Sequence, residues 1–89
     1  MNHNKDYAYG ILSKAIDDRD KLLHNNKDAV EQRIVHEWNQ GFLPTHEFVN
    51  KIKNDIVRES FMYLTIVIYE MEEKINQENK KRMENCYSN

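Results

Sequence analysis

His36-Glu37 and His46-Glu47 are the pairs in this 89-residue chain best suited by type to hold a metal ion or move a proton. A zinc protease places two histidines four residues apart on one helical face, with a glutamate between them as the base. Neither dipeptide has that second histidine, and both read as exposed residues near helix ends. Asp20 and His24 share a helical face at i,i+4, but two ligands fall short of the three or four protein ligands zinc requires. The single cysteine, Cys86, lies in the polar C-terminal stretch with no histidine and carboxylate to activate it. Asp17, Asp18 and Asp20, and Glu70, Glu72 and Glu73, are clustered in sequence, yet neighbours on a helix are rotated by about 100°. They read as solvated faces. With two glycines in the chain there is no glycine-rich loop to cradle phosphate. The sequence predicts no enzyme, no cofactor and no metal.

Composition narrows the remaining classes. A net charge of −2 and a pI near 6.1 lack the basic footprint of a nucleic-acid binder, and the chain is too weakly acidic to mimic DNA. Isoleucine, leucine, valine and phenylalanine make up 21 residues, above the roughly 20% below which chains tend to disorder. A chain this short should fold with a modest margin unless it gains burial by association. Two glycines and one proline leave too few turns for a small β-fold and favour helices. One unpaired thiol and a polar N-terminus, MNHNKDYAYG, predict a cytoplasmic location. Asn, Lys, Ile, Tyr and Phe account for 36 residues, a bias toward A/T-rich codons that suits a phage or mobile-element product.

The elements follow from periodicity. Ala8, Ile11, Leu12, Ala15, Ile16, Leu22 and Leu23 recur at helical spacing and predict a first helix over about 5–23. Asn26 is the expected cap of a second helix over about 27–40, with Val30, Ile34, Val35 and Trp38 as its stripe and Arg33/Glu37 paired across one turn. Gly41 is suited to the left-handed residue after that helix, and Phe42 is expected to fold back near Trp38. Thr45 is the expected cap of a third helix over about 46–82. Its stripe is Val49, Ile52, Ile56, Ser60, Tyr63, Val67, Met71 and Ile75, flanked by Glu47/Lys51, Glu70/Lys74 and Glu78/Arg82 pairs. Residues 85–89 read as a disordered tail after a single α-helical domain over 1–84. The expected fold is all-α: a three-helix bundle, or a helical hairpin plus a long C-terminal helix, assembled as a homo-oligomer.

Ser60–Met71, SFMYLTIVIYEM, carries nine large apolar residues in twelve. Glu70, Glu72 and Glu73 end it well short of the roughly 20 residues that cross a membrane. No second segment reads as a strand to pair with it, so it is a helix. Around that helix Met62, Ile66 and Tyr69, at i, i+4 and i+7, fall away from the main stripe, with Phe61 on a flank. A helix apolar on two sides is covered on two sides, either because it is threaded between the other two helices or because its second face meets another protein. The sequence therefore predicts a small non-enzymatic protein-binding module, an adaptor or inhibitor. Phe61, Met62, Ile66 and Tyr69 are its protein-interaction residues, and its partner is a second copy or a host protein.

Two other readings are weaker. Val30–Asn54 has the outline of a helix-turn-helix, with a recognition helix starting THEFVNKIKND and Lys51 and Lys53 for phosphates. Against it stand Glu37 at a tightly packed position and a long connection through Pro44. Tyr7, Tyr9, Lys14 and Lys21 on the first helix are the residues that would hold a small nucleotide.

Overall fold

The computed structural model describes the backbone of residues 3–87 and the side chains of residues 6–80. It is mostly helical, and among the described residues there is no strand. The described residues form four α-helices, α1 (His3–Asn25), α2 (Gln32–Asn39), α3 (Thr45–Asn50) and α4 (Asp55–Tyr87), with a 3-10 turn at Lys27–Ala29. No helix among the described residues is long and apolar enough to cross a membrane.

The two long helices form an antiparallel hairpin. Leu22 and Leu23, near the end of α1, pack on the cluster that holds Val57 and Phe61 at the start of α4. Arg19, a turn earlier in α1, reaches Thr65, a turn later in α4. Ala8 and Ala15 are buried on α1, as are Ile68 and Ile75 on α4, and alanines let two helices approach closely. Lys14–Asp18 and Lys21–Asp17 pair along the exposed side of α1.

Across one end of the hairpin lies a cap built from the 3-10 turn, α2 and α3. Its core is Ala29, Val30, Phe48, Val49 and Ile52, joined to Val57 and Phe61, with Ile34, Val35, Trp38 and Leu43 packed around it. Trp38 stacks on Phe48 with ring centres 4.6 Å apart and meets Phe61 edge-on at 5.4 Å. Each large side chain buried here contributes about 1.5–3 kcal/mol.

The expected third helix is two helices. At about 100° per residue, Phe48 and Phe61 would stand roughly 140° apart around one continuous helix. Both are nevertheless fully buried against Trp38, which requires the chain to break between them. The break falls at Lys51–Asn54. Lys53 N–H donates to Ala29 O at 2.7 Å, and Asn54 Oδ1 accepts the N–H groups of Ile56 and Val57 at 2.9 and 3.1 Å. Asn54 is therefore a side-chain cap of α4. The restart rephases the helix: Val57, Phe61, Thr65, Ile68 and Ile75 face inward, while Ile56 and Tyr63, expected in the stripe, are 76% and 67% exposed.

Other local expectations change for equally specific reasons. Asn26 precedes only the 3-10 turn and makes no side-chain cap bond; its Nδ2 donates to Leu22 O at 2.8 Å, and Val30 and Glu31 are extended before α2 begins. Thr45 is the first residue of α3, and its Oγ1 accepts from Trp38 Nε1 at 3.1 Å instead of capping. Phe42 does not fold back: it is 80% exposed, and Leu43 packs on the core in its place. Gly41 adopts φ +84°, the left-handed backbone expected after a helix. The Arg33–Glu37 pair forms at 3.4 Å. α4 runs on to Tyr87, past Asn85 where the tail was expected to begin, and residues 88 and 89 lie outside the described residues.

Candidate protein-interaction groove

The α4 residues expected to meet a partner separate into two groups. Phe61 belongs to the core: it is fully buried, packed between Trp38 and Phe48, and it offers no surface to another molecule. Helix rephasing at Asn54 is what turns it inward. Met62, Ile66 and Tyr69 are 44%, 51% and 56% exposed. They form the lip and wall of an open groove of about 510 Å³ between α3 and α4.

Sequence reasoning missed the other side of that groove. Thr45, His46, Val49 and Asn50 of α3 face Arg58, Met62, Thr65, Ile66 and Tyr69 of α4 across it. Val49, read from periodicity as an ordinary core residue, is buried yet lines the groove. Periodicity does not show this, because it depends on α3 leaving the axis of α4; the cap residue Asn54 followed by Asp55 is the one local signal of that break. Four apolar or aromatic side chains, Val49, Met62, Ile66 and Tyr69, share the groove with five polar ones.

Its base is held by polar contacts. Arg58 Nη1 donates to Ile52 O at 2.9 Å and Nη2 donates to Asp55, so this cation ties the start of α4 to the break before it. Behind Thr65, Arg19 Nη1 donates to Thr65 Oγ1 at 3.1 Å, with its guanidinium 5.0 Å from the centre of the Trp38 ring and 5.2 Å from that of Phe61. Burial pushes the Arg19 pKa below its ordinary value, against the opposing influence of Asp20, Tyr69 and Glu72. The two arginines thus fix the groove floor from opposite sides.

Of the residues that invited chemistry, His46 lines the groove, while His24 and His36 do not. His24, His36 and His46 are exposed, and among the described residues no three His, Cys, Asp or Glu side chains are grouped to hold a metal ion. Cys86 lies outside the described side chains. Lys51 follows the end of α3, which is only six residues long, and Lys53 Nζ sits 3.9 Å from Glu31 Oε1. Lys14 and Lys21 are occupied by aspartates on their own helix. No protein-family model matches the chain, and comparison with curated proteins and with solved structures finds no match.

Proposed function

We propose that this protein is a small non-enzymatic binding module, an adaptor or inhibitor that acts inside the cell by seating part of a partner protein in the α3–α4 groove. The observation that carries the reading is the exposure of Met62, Ile66 and Tyr69 beside Val49 in one groove. Methionine and aromatic side chains are the types enriched at protein contacts. Shape supports it. The chain exposes 6691 Å², against about 5,500 Å² expected for a compact protein of its mass. Its radius of gyration is 16.3 Å, against about 12 Å for a compact domain of this length. The small size and codon bias suit a phage or mobile-element origin for such an inhibitor.

The test is comparative capture from a native lysate by wild type, Ile66→Glu and Ile56→Glu. Ile56 is more exposed than Ile66 but lies outside the groove, so it controls for a general change of surface. Wild type and Ile56→Glu should retain the same protein and Ile66→Glu should lose it. The reading is wrong if Ile66→Glu, with its helicity intact, retains that protein as well. The rival reading, a helix-turn-helix regulator, requires duplex DNA to bind with an affinity that falls steeply as salt rises; a mobility-shift assay at two salt concentrations separates the two.

A further inference from the structure

We propose that a second face of the α1–α4 hairpin, away from the groove, is a two-fold interface covered by a second copy of this chain. This surface is separate from the α3–α4 groove, so the inference goes beyond the reading above and does not depend on it. Its core is an apolar stripe of α4. Ile56 and Tyr63 are 76% and 67% exposed, and Leu64, Val67 and Met71 are only half-buried. None of the five lines the groove. At about 100° per residue, Leu64, Val67 and Met71 stand roughly 140–180° round the helix from Met62 and Tyr69. On α1, Arg19 lies over Trp38 of the cap and Leu23 packs on its core. Tyr7, 70% exposed, stands about 120–160° round α1 from both and extends the uncapped side.

Layering and area identify the occupant. The cap adds a second layer at one end of the 55 × 24 × 17 Å molecule, and elsewhere the hairpin is a single layer of two helices. Helices bury their apolar stripes stably between two layers. The 6691 Å² surface exceeds that of a compact chain of this mass by about 1,200 Å². Two copies that each hid that excess would bury about 2,400 Å², above a standard contact of roughly 1,600 Å² and within the range of permanent homodimers.

Charge is compatible with self-pairing in any register. A two-fold contact sets a patch against itself, so charge of one sign inside it opposes itself. From Ile56 to Met71 the charged residues of α4 are Arg58, Glu59 and Glu70. Arg58 lines the groove, and helical phase puts Glu59 and Glu70 on the ridge between groove and stripe. Lys14 and Lys21 of α1 are paired with Asp18 and Asp17. The stripe is uncharged: it meets its own copy without repulsion and gives a foreign partner no charge to select by.

The experiment measures the molar mass of the full chain by light scattering over a dilution series. Wild type should show twice the 10.8 kDa of one chain, with a melting temperature that rises with protein concentration. Tyr63→Glu and Ile56→Glu, both at exposed positions, should each lower the mass to one chain where wild type is still a dimer. Circular dichroism then reports whether the released chain keeps its helices. Ile66→Glu, in the groove, should remain dimeric. The inference is overturned if wild type has the mass of one chain throughout, which would leave the stripe bare or to a foreign partner. It is also overturned if either stripe variant leaves the dimer intact, or if Ile66→Glu dissociates it and so moves the contact into the groove. Capture of a partner is read separately: Ile56→Glu should still retain what Ile66→Glu loses, so failure of one reading leaves the other standing.

Discussion

Arg19 of α1 and Thr65 of α4 are joined across the hairpin by a hydrogen bond from Nη1 to Oγ1 at 3.1 Å, and they meet directly behind the groove. The guanidinium lies close to both the Trp38 and Phe61 rings, while Nε is buried with no hydrogen-bond partner. One cation therefore connects both long helices to the aromatic core, and it does so by shape as much as by charge.

Arginine's plane is what this position uses, so Arg19→Lys should not be conservative. Lysine keeps the charge but loses the guanidinium's contacts with two rings and the fixed direction of the bond to Thr65. We expect a loss of about 1 kcal/mol, read as a lower urea midpoint with unchanged slope. A double-mutant cycle of Arg19→Ala and Thr65→Val isolates the hydrogen bond, with a coupling of about 1 kcal/mol expected. Strict additivity would mean that the bond contributes nothing.

Asn54 controls where α4 begins and hence which residues it turns inward. Asn54→Ala removes the acceptor for the Ile56 and Val57 N–H groups and should cost about 1 kcal/mol. Asn54→Asp keeps an acceptor and adds negative charge at the positive end of the helix, so it should retain most of that stability. If both variants melt at the wild-type temperature, the side chain is not setting the helix start.

The all-α character and the approximate extent of α1 were legible because they rest on short-range signals, namely periodicity and the scarcity of glycine and proline; α2, expected from residue 27, begins only at Gln32, after a 3-10 turn and two extended residues. The break at Lys51–Asn54 was not legible. Val49, Ile52 and Ile56 continue one stripe at spacings of three and four, and no glycine or proline interrupts them. What outweighs that stripe is tertiary: burying Phe48 and Phe61 against one tryptophan, which a single helix cannot do. Asn54-Asp55 was the one local clue, a cap residue followed by an acid. The same omission placed Phe61 on the surface and hid the α3 wall of the groove, whereas Met62, Ile66 and Tyr69 fall on the open side of α4 as the sequence predicts.

Gly41 holds φ at +84° between α2 and α3, and a Cβ added there would meet no atom within 4 Å. Space is therefore no obstacle, and the cost of Gly41→Ala is backbone strain alone, about 1–2 kcal/mol. Gly10 has the same free space but helical backbone, so Gly10→Ala should instead stabilise by up to about 1 kcal/mol. Opposite shifts in melting temperature for two identical substitutions would separate conformation from packing; shifts of the same sign would contradict the left-handed assignment at Gly41.

Phe61 and Met62 are adjacent in sequence and should behave in opposite ways. Phe61→Ala empties a fully buried site against Trp38 and Phe48, and such a truncation costs about 3–5 kcal/mol. An 89-residue domain has a total stability of only about 5–13 kcal/mol, so this variant should unfold at markedly lower urea. Met62→Ala removes a side chain that already meets solvent and should change stability by less than about 1 kcal/mol, while weakening whatever occupies the groove. Trp38 is the only tryptophan, and its fluorescence follows both variants at the core they share. If Met62→Ala proved the more destabilising of the two, α4 would be phased with Met62 inward, and the groove would not exist in the form described.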